Sequence, residues 1–221
     1  MTRNYSGSQP PTDIWERDPI YPLPPDLDIE SEEFNLRRLV AYIIEGVHTP
    51  RYATPDTMTT TYCGNIVLQE SLGFKTLILL TDKVFIGDID ITKAFSKQDI
   101  LEKIQAHPEY SYFRVYETYH GFRLIYTKEC RSIFDDNTAR DFLRLQCDSR
   151  YIRACVKYGH FAARLSPKNR PDEDVICKLI SPGILPRNEL IASCIRLHDS
   201  YCLSKEWVLY WRSMQCNHVI Q

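Results

Sequence analysis

The chain has 221 residues, 43% hydrophobic and 25% charged, a composition of globular proteins rather than of disordered or fibrous ones. Its net charge of −2 excludes a global basic field, so any nucleic-acid surface has to be local. No apolar run approaches the ~20 residues that span a bilayer, and the N-terminus lacks the apolar stretch of a secretory signal, which points to a cytoplasmic protein with no membrane partner.

Residues 1–30 are polar and Pro-rich and read as a flexible arm. Residues 31–221 read as a single α/β domain. The first helix is expected over Glu30 to Glu45, with Leu36, Leu39, Val40, Ile43 and Ile44 at helical spacing and Gly46 as its stop. Thr49 to Thr61 reads as a Thr- and Pro-rich loop, and Tyr62 to Leu72 as a short helix. Thr76 to Ile91 (TLILLTDKVFIGDIDI) reads as a hairpin turning at Thr81-Asp82-Lys83 and feeding a buried strand.

A helix follows over Thr92 to His107, capped by Ser96 with Asp99 at N3 and ended by Pro108. Alternation in Phe113 to Thr127 gives two strands around Tyr119-His120-Gly121. Helices are expected over Asp136 to Leu145 and Asp148 to Tyr158, and strands over Phe161 to Leu165 and Val175 to Ile180. Ser166 to Asp174 is a basic loop, and Asn188 to Leu203 is the last strong helix. The fold class is therefore α/β in the α+β sense, a mainly antiparallel sheet flanked by helices.

The eight cysteines, at 63, 130, 147, 155, 177, 194, 202 and 216, form no close Cys-x-x-Cys pair of a zinc knuckle. They read as reduced, small hydrophobes. His198-Asp199, without companions at fixed spacing, reads as structural.

Chemistry concentrates in three blocks. The first is FIGDIDI. Asp88 and Asp90 stand at i and i+2 on a strand and share a face. Carboxylates side by side raise each other's pKa, and a shared divalent cation with a taste for hard oxygen ligands, Mg²⁺ or Mn²⁺, relieves the conflict. The second is YETYHGFRLIYT, a Gly-containing hairpin. The third is CDSRYIRACVKYGHFAARLSPKNR, an acidic residue followed by an Arg-rich segment.

Taken in order, these blocks resemble the catalytic core of the archaeo-eukaryotic primase superfamily, the primase-polymerases, over roughly Thr76 to Arg170. The resemblance implies an RRM-like core and metal-dependent nucleotidyl transfer, making or extending primers on a single-stranded nucleic-acid template from nucleoside triphosphates. A separate helicase or replication protein would be its partner. Asp88, Asp90 and Asp148 would hold Mg²⁺ or Mn²⁺. Arg164-Leu165-Ser166-Pro167-Lys168 is similar to the family's Arg-Leu-Pro-Gly-Thr-x-x-x-Lys stretch, so Arg164, Lys168 and Arg170, with Arg123, would bind the triphosphate.

One position departs from the family pattern. Where the family has its motif histidine after Gly-aromatic, this chain has Arg123, and His120 lies three residues earlier. Either His120 acts from the turn, or Arg123 contacts phosphate as an arginine fork does. That leaves two alternatives to an active polymerase. One is a degenerate primase-like module that binds nucleic acid or nucleotide; the other is a metal-dependent nuclease.

Asp148 also suits a helix N-cap, and Asp135 is a rival third carboxylate. Arg150, Arg153, Lys157, Arg164, Lys168 and Arg170 crowd six positive charges into one segment. Tyr116 and Tyr119 are candidates for stacking on bases.

Overall fold

The structure is a computed structural model, which describes residues 58–63, 66–71, 76–92, 95–166 and 177–203. The expected arm, the first helix, the Pro-rich loop up to residue 57, the basic loop with Lys168 and Arg170, and the end of the chain lie outside the described residues.

Two four-stranded antiparallel sheets and four helices make up the described fold. The first sheet runs β1 (Met58–Cys63), β2 (Ile66–Ser71), β3 (Thr76–Thr81), β7 (Phe161–Arg164). The second runs β4 (Ile86–Asp90), β6 (Gly121–Tyr126), β5 (Phe113–Thr118), β8 (Cys177–Ser181). The helices are α1 (Lys97–Gln105), α2 (Asp136–Arg144), α3 (Ser149–Tyr158) and α4 (Glu189–Cys202). None of these is long and apolar enough to cross a membrane.

Local chemistry explains most helix starts. Ser96 and Asp99 close a capping box on α1, each side chain bonding the other's backbone N–H. Asp148 accepts from Tyr151 N at 2.8 Å and caps α3, and Asn188 caps α4. At the end of α2, Cys147 N–H donates to Phe142 O and Gln146 N–H to Leu143 O, the two bonds of a Schellman turn. The left-handed position, usually glycine, is here Gln146 with φ 55°.

Two expectations give way to tertiary pairing. Tyr62 to Leu72 is not a helix: Ile66–Ser71 is β2, paired along its whole length with β1 and β3. The β-branched Ile66 and Val67 suit that pleat. Thr81-Asp82-Lys83 is not a hairpin turn either. β3 and β4 belong to different sheets, and residues 82–85 carry the chain from one to the other. The reason is visible in the crossing: Val84 and Phe85 are fully buried, and Phe85 packs on Phe113, Phe142 and Phe161. That aromatic cluster joins the two sheets and α2 into one core.

Candidate functional site

β4 is the strand on which the site is built. Asp88 and Asp90 share a face, and Arg123 of β6 lies directly opposite Asp88 in the register. On the other face, a Cβ at Gly87 would stand 3.1 Å from Cys147 Sγ, so α2 and the following loop approach closely there. That loop returns Asp148 to the strand, where its backbone N–H donates to Asp88 O at 2.8 Å. Tyr151, one turn into α3, donates its hydroxyl to Ile86 O at 2.7 Å. Two bonds therefore hold the start of α3 against β4.

The hairpin tip reaches the same corner. Ile91 N–H donates to His120 O at 2.7 Å. Gly121 is required for this approach, since a Cβ there would fall 1.8 Å from Ile89 O. Beside Asp90, then, sit His120 and Tyr119, which meet edge-to-face at 4.6 Å. Tyr119 is 71% exposed.

The charges gathered here act on one another. Burial holds the Asp88 carboxyl above its ordinary value. Asp90 and Asp148 push it further in the same direction, while Arg123 and Arg164 pull against them without restoring the balance. Asp90, Asp148 and Arg164 therefore lie near enough to Asp88 to act on its charge.

Arg123 has a different place from the one its sequence position suggests. It is buried, 3.6 Å from Asp88 through Nη2. Its Nη1 donates to Arg164 O at 2.8 Å and stands 3.4 Å from His198 Nε2. Both terminal nitrogens are engaged inside the protein, whereas the Arg164 side chain is exposed. Tyr116 is also corrected: it is fully buried, donating to Asp199 Oδ1 at 2.5 Å and accepting from Arg114 Nε at 2.6 Å. Its ring packs against His198 at 4.4 Å with a 53° tilt, not on a base. Asp135 serves the turn before α2, accepting from Ser132 N–H at 2.7 Å.

Arg150, Arg153 and Lys157 stand at i, i+3 and i+7 of α3, which puts them along one stripe. Arg150 and Lys157 are exposed and Arg153 is half-buried. The stripe starts two residues after Asp148.

Behind Arg123 lies a group that spacing alone did not reveal. Cys177, His198 and Cys202 are buried, with one donor atom from each within 4.8 Å of the others. Among the described residues no other set of three His, Cys, Asp or Glu side chains meets so closely, the carboxylates of the acidic corner included. Hydrogen bonding from Cys202, then from His198, lowers the Cys177 thiol, while burial raises that of Cys202. The group's helical half, His198-x-x-x-Cys202, goes unread in the sequence, although its i, i+4 spacing is the one signal that points to it.

Comparison with family models, with curated proteins and with solved structures yields no match.

Proposed function

We propose that the acidic corner binds a divalent metal and carries out primase-like nucleotidyl transfer on a single-stranded nucleic-acid template. One observation carries this reading: burial holds the Asp88 carboxyl raised, and Asp90 and Asp148 add to that effect against the pull of Arg123 and Arg164. An acidic group still under like-charge repulsion, offering only oxygen donors, suits Mg²⁺ or Mn²⁺. A bound ion of this kind neutralises phosphate charge and activates a hydroxyl nucleophile. Arg164 would hold the triphosphate, with Lys168 and Arg170 following it in the chain. The α3 stripe would bind template phosphates, and Tyr119 would stack on a base. The order of the three sequence blocks supports the same reading.

A second reading has its own support. Arg123 places a permanent cation 3.6 Å from Asp88, where the resembling family has a histidine. On that reading the module binds nucleotide or nucleic acid without catalysis.

The purified chain, incubated with labelled nucleotides, Mn²⁺ and single-stranded template, separates them. Template-dependent extension that Asp88→Ala abolishes supports nucleotidyl transfer. Binding without extension, weakened evenly across sequences by Arg150→Ala with a salt slope reduced by about 1, supports the binding module. Shortened template would move the assignment to a nuclease.

A further inference from the structure

Cys177 opens β8, while His198 and Cys202 sit four residues apart on α4. Residues at i and i+4 project from one helix face, and here that face meets the strand carrying Cys177. The three donor atoms lie within 4.8 Å of one another and all three residues are buried. Zinc bonds of ~2.3 Å to sulfur and ~2.0 Å to nitrogen put tetrahedral donors roughly 3.5–3.8 Å apart. The cluster is within a side-chain adjustment of that spacing.

The donor set selects the metal. Two sulfurs and an imidazole are soft ligands that favour Zn²⁺ and disfavour the hard Mg²⁺. The histidine is already oriented. His198 Nδ1 stands 3.4 Å from Asp199 Oδ1, the carboxylate-to-imidazole contact that fixes a metal-binding ring; Nε2 faces Arg123 Nη1 at 3.4 Å and would exchange that contact for the ion. Asp199 is anchored in turn by Arg114 at 2.6 Å and Tyr116 at 2.5 Å. Three protein ligands leave a fourth position for an oxygen. The Arg164 carbonyl, 3.8 Å from Cys202 Sγ, is at hand.

We propose that Cys177, His198 and Cys202 bind a Zn²⁺ ion that fastens the end of α4 to β8. The site stands whether or not the acidic corner is catalytic, because it shares no ligand with Asp88, Asp90 or Asp148.

The test uses the full chain, purified with reductant and without chelator, and its metal content is measured by mass spectrometry. About one Zn²⁺ per chain is expected to survive gel filtration, falling more than about tenfold in the Cys177→Ser, Cys202→Ser double variant. Because losing such a site can also unfold the variant, two measurements use the unmodified chain. Co²⁺ in place of Zn²⁺ should give the intense visible bands of a tetrahedral ion and a thiolate charge-transfer band. Alkylation mapped residue by residue should show Cys177 and Cys202 becoming reactive on chelation, while the buried Cys194, outside the cluster, stays protected. A chain that holds neither zinc nor cobalt, a Cys177–Cys202 disulfide in the reduced preparation, or zinc undiminished in the double variant would each overturn the proposal.

Discussion

The two ends of β4 carry charge in opposite manners. At the Ile86 end, Arg131 joins Asp141 and Glu109, His107 Nε2 lies 3.0 Å from Asp141 Oδ1, and Lys128 caps Glu109 at 2.7 Å. Arg131 also lies over the Tyr126 ring at 3.7 Å, and its backbone N–H is tied to Lys83 O. Every carboxylate there faces a cation or donor. At the Asp90 end, Asp88 is left raised, by burial first and by Asp90 and Asp148 after it, although Arg123 stands 3.6 Å away. A paired cluster stabilises the fold; a conflicted one is stable only as part of a larger fold and is poised for a ligand. One end of the strand thus carries a closely paired charge cluster, and the other a buried carboxyl held above its ordinary value.

Substitution should expose this division. Asp141→Ala removes the shared partner of Arg131 and His107 from a buried site, and we expect a loss of about 3–5 kcal/mol in urea unfolding. Asp90→Asn at the conflicted end should change stability by no more than about 0.5 kcal/mol while lowering Mn²⁺ affinity in a titration. Equal costs at the two ends would erase the contrast.

Acid unfolding sharpens the same point. Burial would raise Glu109, but hydrogen bonds from Lys128, Tyr126 and Arg131 outweigh it and hold the group down from 4.5 to about 2. The native state then binds fewer protons than the unfolded one. Its stabilisation is complete above about pH 4.5 and is lost as pH falls toward 2. Glu109→Gln should flatten that part of the stability curve and leave the neutral plateau's shape unchanged.

Asp148 can be divided into its two roles. Asp148→Ala should cost about 1 kcal/mol through the lost cap, whereas Asp148→Asn keeps a good cap and should be nearly neutral in thermal unfolding. Both should weaken Mn²⁺ binding; if Asp148→Asn binds metal normally, Asp148 is only a cap. A small gain is expected at Gln146, where φ is 55°. Gln146→Gly should stabilise the chain by about 0.5–1 kcal/mol, read as a raised unfolding midpoint, since glycine enters the left-handed region without penalty.

What the sequence revealed follows the range of the forces involved. Capped helices were legible because Ser96 with Asp99, Asp148 and Asn188 act within one turn of themselves. The Phe113–Tyr126 hairpin was legible because its loop is two residues long and its alternation clear. The strand character of Ile66–Ser71 was hidden, because the apolar run Ile66-Val67-Leu68 fits either period and only pairing with β1 and β3 decides it. The break between β3 and β4 was hidden for a similar reason: Val84 and Phe85 looked like the start of a hairpin arm, and only the distant Phe142 and Phe161 show where they go. At the site, the paired aspartates and the Asp148 cap were readable, but the burial of Tyr116 and Arg123 depends on α4, which is distant in sequence. Cys177 joins His198 and Cys202 across a similar gap, which no spacing rule encodes.

Arg123 touches three elements at once: Asp88 on β4, the Arg164 carbonyl on β7 and His198 on α4. A histidine at this position could not span them, for it offers two ring nitrogens on a shorter stem. Restoring the residue that the primase-polymerase pattern has there would therefore not restore that pattern. It would strand a carbonyl and a carboxylate that have come to depend on a guanidinium. The arginine is thus interlocked with its neighbours, and a workable replacement must change several residues together.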